Sequence, residues 1–109
     1  MNKPKVLWHR LESLEANGNF PANLQTYQCR IGIGQYQEIY LTIKAVLDPE
    51  NNWQSVGWLA SWVDERDHRT IEQLEGRSQE RDFEHNIVAA KIAAEKALGQ
   101  LAAKADKYE

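Results

Sequence analysis

An α+β fold is expected for this chain: an antiparallel sheet with an N-terminal and a C-terminal helix packed on one face, in the order α-β-β-β-(β)-α. Three observations point there. Apolar residues near the end recur at alternating spacings of four and three, the period of a helix buried on one side. The middle of the chain alternates with period two, as half-buried strands do. Asn-Gly, Asp-Pro and Asn-Asn pairs stand between these segments, where turns are needed. At 109 residues, with 42% apolar and 27% charged, the chain fits a single domain, 1–109, able to bury one core without metal or disulfide support.

The first element reads as a helix near residues 4–16. Pro4 suits a first helical position, where its missing N–H has no intrahelical partner. Leu7, Leu11 and Leu14 form one stripe flanked by Trp8, and Asn17-Gly18 supplies a helix end.

Two strands follow, roughly 25–33 and 37–47. Tyr27, Cys29, Ile31 and Ile33 alternate with polar or small residues, as do Ile39, Leu41, Ile43 and Ala45. Directly opposed residues of an antiparallel pair share a face. A two-residue turn at Gly34-Gln35 would oppose Ile31 to Glu38 and split the apolar set. A three-residue loop from Gly34 to Tyr36 opposes Ile31 to Ile39, Cys29 to Leu41 and Tyr27 to Ile43, so odd parity is predicted. Asp48-Pro49-Glu50-Asn51-Asn52 marks the next turn. The third strand, roughly 53–63, is apolar on both faces: Val56, Trp58, Ala60 and Trp62 on one, Leu59 and Val63 with Gly57 and Ser61 on the other. Thr70 to Leu74 reads as a short extra strand or a continuation of the third past a bulge.

The last element is a helix beginning near Ser78 or Asp82 and running to about Lys104. Phe83, Ile87, Ala90, Ala94, Leu98 and Leu101 form its buried stripe, with Ala89, Ala93 and Ala97 beside it. Glu80, Asp82 and Glu84 near its start and Lys104 and Lys107 near its end complement the helix dipole.

Composition bounds the function. With 13 basic and 16 acidic residues the formal charge is −3. Eight acidic groups against four basic ones fall within 64–90. No apolar run is long enough for a membrane-spanning helix, and the first ten residues lack the apolar stretch of an export signal, so a cytoplasmic location is expected. The lone Cys29 leaves no intramolecular disulfide and no Cys-rich zinc site.

The order helix, three strands, helix resembles the double-stranded RNA-binding domain. Ala93-Ala94-Glu95-Lys96-Ala97-Leu98 is similar to that family's Ala-Ala-x-x-Ala-Leu helix motif, and Leu74-Glu75-Gly76-Arg77-Ser78 resembles its Gly-rich approach to the helix. The resemblance covers residues 4–101 and implies the fold and, in that family, RNA binding. The family's Lys-Lys-x-Ala-Lys cluster falls here on Asn86, Ile87, Val88, Ala89 and Ala90, and its Gly-Pro-x-His loop on Gly32-Ile33-Gly34-Gln35-Tyr36. Without those cations, duplex binding by phosphate neutralisation is disfavoured.

Short polar clusters offer little chemistry. Asp64-Glu65-Arg66-Asp67-His68 holds oxygen and imidazole donors, but no second His or Cys stands at metal-ligand spacing, and a solvated loop is expected. Helical spacing over Glu80 to His85 sets Arg81 a turn from His85 rather than a carboxylate, so an acidic helix start is expected, not an acid–base pair. His9 is expected at the helix surface and Cys29 in the core. Gly32-Ile33-Gly34 lacks the third glycine of a nucleotide loop, and no nucleophile motif is present. No enzyme activity, cofactor or metal is expected.

The aromatic residues carry the functional expectation. Whichever face of the third strand is buried, apolar area remains on the open side of the sheet near Arg30, Tyr40, Lys44 and Val46. Exposed apolar patches mark partner surfaces, and Trp, Tyr and Arg dominate their energetics. Arg30, Tyr40, Lys44, Trp58 and Trp62 are therefore the expected partner-binding residues of a small interaction module that binds a protein or self-associates. Nucleic-acid binding by base stacking on the same aromatic residues is the alternative.

Overall fold

A computed structural model describes residues 6–11 and 23–108. Five strands pair in chain order: β1 (His9–Leu11), β2 (Asn23–Gly34), β3 (Gln37–Asp48), β4 (Trp53–Asp64) and β5 (Arg69–Ser78). Every pairing is antiparallel. One helix, α1 (Phe83–Tyr108), follows the sheet and lies over β3, β4 and β5. The fold is thus α+β.

The N-terminal helix expected over 4–16 is not seen. His9–Leu11 is a strand on the edge of β2, with His9 opposite Gln28 and Leu11 opposite Thr26. Two periods compete in this stretch. The helical stripe would have buried Leu7 and Leu11, which are exposed, whereas alternation turns Val6 and Trp8 onto the core. The free backbone edge of β2 supplies hydrogen-bond partners that favour the extended form. The remainder of that expected helix lies outside the described residues.

The β2–β3 register is the predicted one, with Ile31 opposite Ile39, Cys29 opposite Leu41 and Tyr27 opposite Ile43. Its odd parity arises differently from a simple three-residue loop. Gly34 pairs directly with Gln37, and the extra residue is a bulge between Gly32 and Gly34. Tyr36 takes the left-handed conformation that this tight turn requires (φ 67°). At the far end Asp48 closes the next turn, accepting from the Asn51 side chain at 2.7 Å, while Asn52 is left-handed at φ 50°. Thr70–Leu74 belongs to a full strand, β5, which pairs with β4 and is irregular between Trp62 and Val63.

The pairing of Ile39 with Trp62, Leu41 with Ala60, Ile43 with Trp58 and Ala45 with Val56 assembles one apolar face. Against it α1 sets Phe83, Ile87, Ala90, Ala94, Leu98 and Leu101, all buried as the spacing predicts. Ala90 and Ala94 let the helix axis approach the strands closely, and Leu98 and Leu101 pack into the same core. Cys29 is buried in the same core.

Asp82 caps α1, its Oδ2 accepting from the backbone N–H of His85 at 3.2 Å. The His85 imidazole also comes within 3.4 Å of that oxygen, because Asp82 stands three residues before it, a spacing at which side chains meet, so a carboxylate does reach this histidine. Buried Asn86 ties the β5–α1 connection together. It donates to Gln54 Oε1 at 3.0 Å and accepts from the Glu80 N–H at 3.2 Å, and Gln54 donates to the Arg81 carbonyl at 2.9 Å.

Candidate functional site

With α1 on one face, the other face of the sheet has no covering layer among the described residues. Six rows of opposed residues run across it: Asp48–Trp53, Leu24–Val46–Ser55, Thr26–Lys44–Gly57–Arg77, Gln28–Thr42–Leu59–Glu75, Arg30–Tyr40–Ser61–Gln73 and Gly32–Glu38–Val63–Thr70. The parity that turns Trp58 and Trp62 toward α1 turns Trp53, Leu59 and Val63 outward, Trp53 exposed and the other two half-buried. Gly57 has no side chain to fill its place in its row. It forms the floor of an open depression walled by Thr42, Lys44, Leu59, Glu75 and Arg77. A second depression, nearer β1, is lined by His9, Gln28, Arg30, Tyr40 and Thr42.

The five expected partner-binding residues are divided between the faces. Arg30, Tyr40 and Lys44 stand on the open face, Arg30 and Lys44 exposed and Tyr40 half-buried. Trp62 is only 3% exposed in the core beneath α1, its indole N–H donating to Gln37 Oε1 at 3.3 Å. Trp58 lies on the same side but is half-buried, and its indole extends over Gly76 of β5. The structure therefore does not bring the tryptophans together with Tyr40 and Lys44.

One end of the open face carries a connected polar network. The Arg30 guanidinium pairs with Glu38 and lies 5.4 Å from the centre of the Tyr40 ring. The Tyr40 hydroxyl faces two carboxylates, Glu65 at 2.6 Å and Glu38 at 3.0 Å. Its single proton serves one of them at a time. The hydrogen bond to Glu65 leads, with burial and Glu38 adding to it, in pushing the phenol up to about 12. The hydrogen bond from Arg30 holds the Glu38 carboxyl below its ordinary value. At neutral pH the tyrosine stays protonated and the glutamate ionised, so this network fixes the Tyr40 ring and a local charge pattern.

The Asp64–His68 segment forms a tight structural turn. Asp64, 3% exposed, accepts from the Arg66 backbone N–H at 3.0 Å, from Nε at 3.1 Å and from an Nη at 2.8 Å. Those bonds hold its carboxyl down at about 2. Among the described residues, no group of three or more His, Cys, Asp or Glu could hold a metal ion, and no helix is long and apolar enough to cross a membrane.

Glu38, Glu75, Gly57 and Arg77 join the open face without a functional role expected from sequence, and Glu65, weighed there only as a metal-ligand candidate, joins it through Tyr40. Glu38 could have been found, since the predicted β2–β3 register already places it with Tyr40 and Lys44 by parity. Glu75 and Arg77 depend on the β4–β5 pairing across the four-residue turn 65–68, a segment whose charged residues read as a solvated loop. No protein-family model matches the chain, and no curated protein or solved structure matches it either.

Proposed function

We propose that the protein is a small interaction module that binds a protein partner through the open face of its sheet. The observation that carries this reading is a broad sheet face with no covering layer among the described residues, on which Leu59, Val63 and Val46 sit among Arg30, Tyr40, Lys44 and Arg77. Apolar residues mixed with Tyr and Arg are the composition of a protein-binding surface, and an antiparallel sheet tolerates one wet face without any such mixture. Acidic Glu38, Glu65 and Glu75 interrupt the cations, which suits a partner of mixed charge better than a polyanion. Since Trp58 and Trp62 are turned beneath the sheet, base stacking has two aromatic platforms on this face, Tyr40 and exposed Trp53, and three rows of opposed residues separate them.

Photo-crosslinking residues placed at Lys44 and Leu59 test the reading. In cells, both should give a discrete protein adduct. Ile92, 62% exposed on the outer side of α1, serves as the control and should give none. A Tyr40→Glu/Lys44→Glu double variant should fold but lose the adduct made from Leu59. Adducts with nucleic acid instead, or equal adducts from Ile92, would overturn the proposal.

A further inference from the structure

The outer edge of β5 is the longest unpaired strand edge of the sheet. Ten residues, Arg69–Ser78, run along it, and among the described residues no strand lies beyond them. At the opposite margin the sheet ends in the three-residue β1. A long strand edge presents a row of free N–H and C=O groups that another strand can pair with. We propose that a second copy of this chain pairs there, β5 against β5, antiparallel about a two-fold axis at Gly76.

Parity fixes the choice. Leu74, Gly76 and Ser78 oppose Ala60, Trp58 and Val56 and so face α1, whereas Glu75 and Arg77 oppose Leu59 and Gly57 and face the open side. In a two-fold pairing centred on Gly76, each Glu75 stands directly opposite the partner's Arg77, giving two ion pairs on the open face. Centring on Glu75 would oppose like charges. Centring on Leu74 would set Glu75 against Gln73 and leave Arg77 unpaired. Among the described residues Arg77 makes no ion pair, so its charge is available to the second copy.

The other face supplies the apolar contact. The Trp58 indole already reaches over Gly76: a Cβ there would stand 2.8 Å from it. Trp58 is only half-buried in the single chain, and a second copy in this register brings its own indole to the same axis from the other side. Ring meets ring over two glycines, covering both. The side of α1 that faces β5 is marked by Lys104, which bonds Glu72 at 2.6 Å, and Ala97 and Ala93 share that side at seven and eleven residues' distance.

Sedimentation velocity from about 5 to 500 µM at low salt tests the pairing. The wild type should shift from monomer to dimer with concentration. Glu75→Arg and Arg77→Glu each place two like-charge pairs across the axis, and each should weaken dimerisation about ten-fold or more while leaving the circular dichroism, and the urea midpoint at monomeric concentration, unchanged. Mixed in equal amounts, the two variants should form a heterodimer, since all four charges then oppose their complements. Combining both substitutions in one chain should restore the homodimer. A wild type that stays monomeric throughout would overturn the proposal. So would single variants that dimerise like wild type, or a dimer lost on Lys44→Glu yet kept on Glu75→Arg.

Discussion

Of the glycines in the sheet, Gly76 has the closest neighbour, the Trp58 indole. The indole occupies the space a Cβ would need, at 2.8 Å, and its half-buried ring is held by both parts of the core. Gly76→Ala should therefore destabilise the monomer by about 1–3 kcal/mol through overpacking. Urea unfolding checks this, and Trp58→Leu in the same chain should recover part of the loss. Asp64 gives a pH-dependent counterpart. Its carboxyl lies near 2 in the folded chain and near 4 when unfolded, so the unfolded state binds the proton more tightly. The stabilisation is present above pH 4 and disappears as pH falls from 4 to 2. Asp64→Asn should flatten that acid limb in a series of thermal melts. Neither residue stood out in the sequence for its actual role. Asp64 read as one donor in a solvated loop, because its partner Arg66 is two residues away and only the turn's curvature joins them.

Among the elements, α1 was the most legible. A buried stripe of 26 helical residues repeats often enough that no competing period fits, and its alanines report the close approach to the sheet directly. The β2–β3 hairpin was legible in register but not in mechanism, since a bulge and an odd loop produce the same parity. The face of the tryptophans hung on a single residue. With strands ending at 47 and starting at 53, opposed positions would put Tyr40 against Ala60. Asp48 also pairs, with Trp53, and that one extra residue sets Ile39 against Trp62 instead. Asp48 is read from sequence as a turn residue because its side chain makes the turn, while its backbone completes the strand. The N-terminal segment failed for the opposite reason. It satisfies two periods, and only an available strand edge chooses between them.

At the scale of the molecule, the described residues form a meander in which each strand leans on its sequence neighbours and one helix seals a single face. β3 is paired along both edges and carries Ile39, Leu41, Ile43 and Ala45, all without exposure. Its amides should exchange most slowly with deuterium, by the global unfolding route, while those of the three-residue β1 exchange fastest through local opening. Equal rates in β1 and β3 would contradict that gradient. The order of elements also has a consequence during synthesis. All five strands leave the ribosome before α1, so the hairpins meet while their shared face, with Ile39, Leu41 and Trp62, has nothing to lie against. Until the Ala-rich segment emerges, the nascent chain is an apolar sheet awaiting its cover. That interval, rather than any property of the finished molecule, is when it is most exposed to aggregation and to chaperones.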